Sequence, residues 1–223
     1  MGVKLELSDE ECYEGMYYNY MVRIPVKNKC GELEYVVTGI PISMDVHVGY
    51  IPYNGANVLR QAFKTLGNVY GWGGTLNSRD CSALVMDIHR CFGLILPRDV
   101  SGQMQINSCR TIKFDDRACE CNQTRGTTGS RETEQNCRKY HKLCDLSAGD
   151  ILGFPGHTMM YAGFDYNNCT HYVISEMGSF YTFSEGDAKK VTVNSCVLSD
   201  LSLMRENGLT WEQSLTYAKI LGN

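Results

Sequence analysis

Apolar residues recur through the middle of the chain at helical spacing. Cys81, Leu84, Val85, Ile88 and Phe92 fall at i, i+3, i+4, i+7 and i+11, which puts them on one face of a helix over about 81–92. Gly93 stops it. A shorter helix is expected over about 57–66, with Val58, Leu59, Ala62, Phe63 and Leu66 inward, Asn57 as cap and Gly67 as stop. Before these helices, 18–26, 33–40 and 42–50 are rich in β-branched and aromatic residues and read as strands. After residue 150 the pattern turns to short strands again, over 150–154, 158–163, 171–176 and about 190–197. Two C-terminal helices are expected. One opens at Ser199-Asp200 and closes at Gly208; the other opens at Thr210, three residues before Gln213, and closes at Gly222. Helices first and a sheet afterwards give an α+β domain over 56–223, preceded by a small β-rich segment over 1–55.

Composition narrows the functional classes. At 223 residues with 43% hydrophobic and 21% charged residues, the chain can build an ordinary globular core. A net charge of −4 argues against nucleic acid or an anionic membrane as the main partner. No apolar run reaches the ~20 residues that span a bilayer. Met1 to Glu6 is not a signal peptide, since no apolar stretch follows. The count of 11 cysteines is high for a reducing compartment and is odd, so at least one thiol stays unpaired within the chain.

The chemistry concentrates at two places. Tyr70-Gly71-Trp72-Gly73-Gly74 leads, five residues later, into Asp80-Cys81-Ser82. A glycine-rich turn thus delivers a cysteine to the first turn of a helix, where the dipole and unpaired N–H groups favour thiolate. The bland alternative is a buried structural cysteine on an amphipathic helix. Downstream, Gly149 to Phe154, the Pro155-Gly156 turn and Thr158 to Gly163 set His157 at the start of a strand. One such thiol and one distant histidine are the minimum for a Cys-His pair. His47, His89 and His141 lack this context, and His89 reads as a surface residue.

The runs "YGWGG…RDCSALV…FGLILPR", "GDILGFPGHTMMYAG" and "HYVISEMGS" together resemble the NlpC-type cell-wall cysteine peptidases over roughly 56–180. "DVHVGYIPYNGANVLRQAFKTLG" resembles the join between a bacterial Src-homology-3-like segment and that catalytic domain. The resemblance implies a papain-like fold, no cofactor, and hydrolysis of peptidoglycan stem peptides, commonly between D-glutamate and the diamino acid. It implies Cys81 as nucleophile and His157 as base. The family's third residue, usually histidine, falls here on Ser175, with His171 as the rival. The two lie four residues apart, about 13 Å along a strand, so both cannot reach His157. Tyr70 is implied near the oxyanion, and Asp80 and Ser82 as contacts for a substrate ammonium. Asp80 reads equally well as a helix N-terminal carboxylate. Trp72 shapes the cleft wall, and Arg98 belongs to the motif after the nucleophile helix.

The missing third histidine keeps a catalytically impaired peptide-binding module open. Amidase or acyl-transfer chemistry on the same Cys-His pair is open too. An extracellular or wall-associated location is expected, with an export signal upstream of the sequence. A Cys-rich insertion near 104–147 holds Cys119, Cys121, Cys137, His141 and Cys144. Disulfides or free thiols are favoured there over zinc, because the spacing matches no common zinc site. Asn122-Gln123-Thr124 and Asn168-Cys169-Thr170 are glycosylation sequons that matter only on a eukaryotic secretory route.

Overall fold

A computed structural model describes residues 2–9, 18–114, 142–184 and 187–222. The chain divides into two compact units, 1–51 and 52–223.

The first unit is a three-stranded antiparallel sheet in the order β1-β2-β3, formed by Glu6–Leu7, Asn19–Lys27 and Leu33–Pro41. The β2–β3 hairpin turns at Asn28–Glu32, where the Asn28 side chain accepts from the N–H of Cys30 and Glu32. The strand expected over 42–50 is instead a run of turns and bends, nearly all of it exposed.

In the second unit, helix α1 spans Gly55–Phe63. Its cap is Asn54, whose side chain accepts from the Asn57 N–H, rather than Asn57 itself. Helix α2 spans Cys81–Arg90 and buries Cys81, Leu84, Val85 and Ile88, as their spacing requires. A short helix α3 follows at Val100–Met104. A six-stranded sheet carries the rest, in the order β4-β9-β5-β6-β7-β8, with every neighbouring pair antiparallel. Its strands are Arg110–Lys113 (β4), Ile151–Phe154 (β5), His157–Asp165 (β6), Thr170–Ser184 (β7), Asp187–Asp200 (β8) and Tyr217–Ile220 (β9).

Side chains alternate across this sheet. Ile151 and Tyr217 face α2 and cluster with Val85 and Leu96. Leu152, Phe154, Met159, Tyr161, Val173 and Met177 face the other way and form the larger core with Trp211 and Leu215. Helix α2 lies across β6 and β7. His89 is fully buried rather than a surface residue. Its ring meets the carbonyls of Val85 and Gly149 at 2.7 and 3.0 Å and so ties the end of α2 to the entry of β5.

The C-terminal region departs from the two expected helices. Residues 199 and 200 end β8, and 201–209 are turns and a bridge. The Thr210–Gln213 capping box forms, but its helix α4 is only Trp211–Ser214. The chain then enters the sheet as β9 between β4 and β5. The vacant slot beside β5 offers a full ladder of hydrogen bonds, which outweighs the weak helical preference of so short a stretch.

Candidate active site

The glycine turn and the first turn of α2 are built as one unit. Trp72–Asn77 forms a 3-10 turn in which Gly73 and Gly74 have φ of 67° and 83°, a region glycine enters without penalty. At Gly71 a Cβ would stand 1.6 Å from Ser78 Oγ and 2.9 Å from the Thr75 carbonyl, so only glycine fits. Asp80 caps α2. Its Oδ1 accepts from the Ala83 N–H (2.9 Å), Ser82 Oγ (3.1 Å) and Arg98 Nη1 (2.9 Å). Its Oδ2 accepts from Arg98 Nη2 (2.8 Å) and the Gly73 N–H (3.1 Å). Burial pushes this carboxyl up, but the Arg98 hydrogen bonds and the Ala83 N–H outweigh it and hold the pKa below its ordinary value.

Asp80 is therefore engaged inside the protein as the helix N-terminal carboxylate, at the wall of the same cleft. Ser82 is engaged as well, donating to Asp80 and accepting from Arg98 at 3.2 Å. Arg98 holds the capping carboxylate in a bidentate pair, a positioning contact for the start of α2. Gln103 adds to this: its buried amide donates to the carbonyls of Ser82 and Pro97, both at 3.0 Å.

Cys81 is 7% exposed and sits at the floor of a cleft of about 690 Å³ that Trp72, Gly73, Arg98, Met104, Pro155 and Gly156 help to line. Burial raises the thiol pKa, with the Asp80 charge adding to it. The nearby backbone N–H groups of Thr158, Ser82 and Cys81 itself pull it down, and the net is upward. Tyr70 is raised too, by burial and then by the charges of Cys81, Asp80 and Glu176 around it. Trp72 is 78% exposed and stands at the cleft rim.

The structure brings Tyr70, Trp72, Asp80, Ser82 and Arg98 to Cys81, but not His157. Thr158, whose N–H reaches Cys81, faces α2, and its Oγ1 accepts from Tyr217 Oη at 3.3 Å. Adjacent strand residues point to opposite faces, so His157 faces the larger core. Its ring lies 4.8 Å from that of Trp211 and 5.6 Å from that of Phe154. No hydrogen bond joins it to Cys81, and its buried Nε2 has no partner. Burial and then Arg205 depress its pKa to about 4.

The two candidate orienting residues differ in place. Ser175 is fully buried with Oγ unpartnered. It shares the His157 face, where continuing the Met160–Ile174 register sets it opposite Met159. That makes it a diagonal neighbour of His157, about 7–8 Å off. His171 pairs with Phe164 at the other end of β6, roughly 23 Å along the strand from His157. Its Nδ1 meets Tyr161 Oη at 2.8 Å, so His171 is removed from the site.

Sequence reasoning missed Thr158, Tyr217 and Glu176 on the Cys81 side; strand parity counted from a helix-facing residue was the available signal. Glu176 is wholly buried, with both carboxylate oxygens unpartnered. Burial, against the pull of Arg79, raises its pKa to about 7.

Among the described residues no three His, Cys, Asp or Glu side chains gather to hold a metal ion. Cys119, Cys121, Cys137 and His141 lie outside the described residues. No helix among the described residues is long and apolar enough to cross a membrane.

Residues 67–172 match the family model of the NlpC/P60 family. An NlpC/P60-family domain over that range is thereby supported, within a mixed α+β architecture that follows a small N-terminal sheet. No curated protein matches the chain. An NlpC/P60 endopeptidase from Photobacterium damselae subsp. piscicida superposes with a TM-score of 0.64 at 15% identity, covering 98% of this chain and 52% of that one. An NlpC/P60 family protein from Bacillus cereus gives 0.46 at 15% identity, covering 96% and 52%. The chain thus spans about half the length of these two proteins. The first likeness carries the fold.

Proposed function

We propose that this protein is a cysteine hydrolase of NlpC/P60 type that cuts peptidoglycan stem peptides after D-glutamate. The observation that carries the reading is Cys81 itself. Its sulfur stands at the first residue of α2, on the floor of a cleft, with the backbone N–H groups of Thr158, Ser82 and Cys81 near enough to favour the thiolate. In the reaction the Cys81 proton passes to His157 and the thiolate attacks the γ-carbonyl of D-glutamate. The backbone N–H groups of Cys81 and Thr158 stabilise the oxyanion. The C–N bond then breaks, the leaving amine takes the proton from His157, and water hydrolyses the acyl-enzyme.

This requires the His157 ring to cross from the Trp211 side to the Cys81 side. Its place at the first residue of β6, directly after Gly156 with φ of 92°, and its unpartnered Nε2 support such a turn. The N-terminal sheet is read as a partial Src-homology-3-like segment, and the working location as extracellular or wall-associated.

A second reading has its own observation. With His157 and Ser175 on the far face and the thiol pKa raised, the same cleft serves a module that holds stem peptide without cutting it. The test is incubation of wild-type and Cys81→Ala protein with a free-amino L-Ala-γ-D-Glu-diamino acid peptide, followed by mass spectrometry. Cleavage after D-Glu in wild type alone is expected. Another cleaved bond, or acyl transfer to an added amine, would change the reaction class. Binding without turnover in both proteins would replace the hydrolase by the binding module.

A further inference from the structure

The sheet face opposite Cys81 holds a second cavity of about 570 Å³, lined by Phe154, His157, Tyr181, Arg205, Glu206 and Trp211 among others. This is a volume that small-molecule sites commonly have. One part of its wall is aromatic. Phe154 and Trp211 lie edge to face, with ring centroids 6.1 Å apart, and His157 packs on both.

Two hydrogen-bonding groups in this cavity have no protein partner among the described residues. The Nε2 of His157 is buried without a partner. Such a group costs stability unless something fills it. The Arg205 guanidinium rests 4.5 Å over the Phe154 ring, and among the described residues no carboxylate pairs with it. The neighbouring Glu206, itself exposed, also lines the cavity. Arg205 lies close enough to His157 to depress its basicity, so the two donors address one region.

We propose that this cavity is a binding site for a small carboxylate with a flat aromatic body. Arg205 donates to the carboxylate as a charge-assisted partner, and His157 donates Nε2–H, for which the neutral imidazole suffices. The ring of the ligand lies against Phe154 and Trp211, whose faces favour stacked or edge contacts. The site opens on the sheet face opposite the cleft over Cys81, and a ligand bound there holds His157 on the Trp211 side.

Benzoate is the probe and benzamide its uncharged control. The chain has two tryptophans, so Trp72→Phe leaves Trp211 as sole reporter. Benzoate is expected to change Trp211 emission saturably and to raise the His157 pKa seen by NMR, because an anion beside an imidazole favours its charged form. Benzamide is expected to bind at least about tenfold more weakly, and Arg205→Gln to weaken benzoate by about tenfold while leaving benzamide unchanged, which shows that the pocket still folds. Arg205→Lys restores most of the benzoate affinity. Equal binding of benzoate and benzamide, an Arg205→Gln protein that binds benzoate as wild type does, or no saturable change at Trp211 would each overturn the proposal.

Discussion

Replacing Glu176 by glutamine removes a charge that the fold holds under tension. Glu176 is wholly buried beside α2, neither carboxylate oxygen has a partner, and burial raises its pKa from 4.5 to about 7. The folded protein therefore binds this proton more tightly than the unfolded chain does. Between pH 4.5 and about 7 the folded state carries more protons, so this group's contribution to stability falls as pH rises through that window. The gap converts to roughly 3 kcal/mol, at about 1.4 kcal/mol per pH unit. Glutamine has the same shape and no proton to lose. Its amide also lacks partners, but that cost does not vary with pH. The stability of Glu176→Gln relative to wild type is therefore expected to rise by about 3 kcal/mol from pH 4 to pH 8. In melting temperature this is roughly 6–12 °C for a domain of this size. Urea denaturation of both proteins at pH 4, 5, 6, 7 and 8 measures it, since every other titrating group cancels in the difference. A difference that stays flat across that range would refute the reasoning, and would mean that Glu176 has a cationic or hydrogen-bonding partner in solution.

Three further outcomes are expected. Iodoacetamide labelling of the Cys81 peptide, followed by mass spectrometry, should be slow at pH 7 and speed up with a midpoint above the ordinary thiol value of 9, because burial and Asp80 raise it. A midpoint below that value would place a cation, such as the His157 imidazolium, beside the sulfur. Asp80→Asn keeps a capping oxygen for Ala83 but loses the charge facing Arg98. It should cost about 1–3 kcal/mol in urea titration and lower the midpoint of Cys81 labelling, whereas unchanged stability would make the ion pair idle. Gly153→Ala places a methyl 2.4 Å from Tyr217 Oη and 2.8 Å from the His157 carbonyl. It should destabilise the protein by about 1–3 kcal/mol, read by thermal melting; no change would mean that β9 shifts freely.

Local patterns were legible wherever the physics is local. The spacing of Cys81, Leu84, Val85 and Ile88 determined the face of α2, because a helix repeats every 3.6 residues whatever surrounds it. The glycine turn before Cys81 was equally readable, since glycine enters without penalty the positive φ values found at Gly73 and Gly74. Thr210 and Gln213 announced a helix start by the same logic. What followed that start was not local. Tyr217–Ile220 became a strand because β5 had an open edge for it, and that edge exists only in the assembled sheet.

The site divides along the same line. The placement of Cys81 at a helix N-terminus follows from residues 70–88 alone. Whether His157 faces Cys81 depends on which face of β6 lies under α2, and shifting strand parity by one residue exchanges every side chain between the two faces. The tertiary structure set Thr158 toward the thiol and His157 toward Trp211. It also decided that Asp80 spends both oxygens inside the protein, because Arg98 arrives from a loop 18 residues away. Sequence by itself thus determined the fold class, the helix that begins at Cys81 and the turn that precedes it. Partners across the sheet and between distant loops were left to the packing of the whole chain, since contact between them is a property of the assembled layers and not of any one segment.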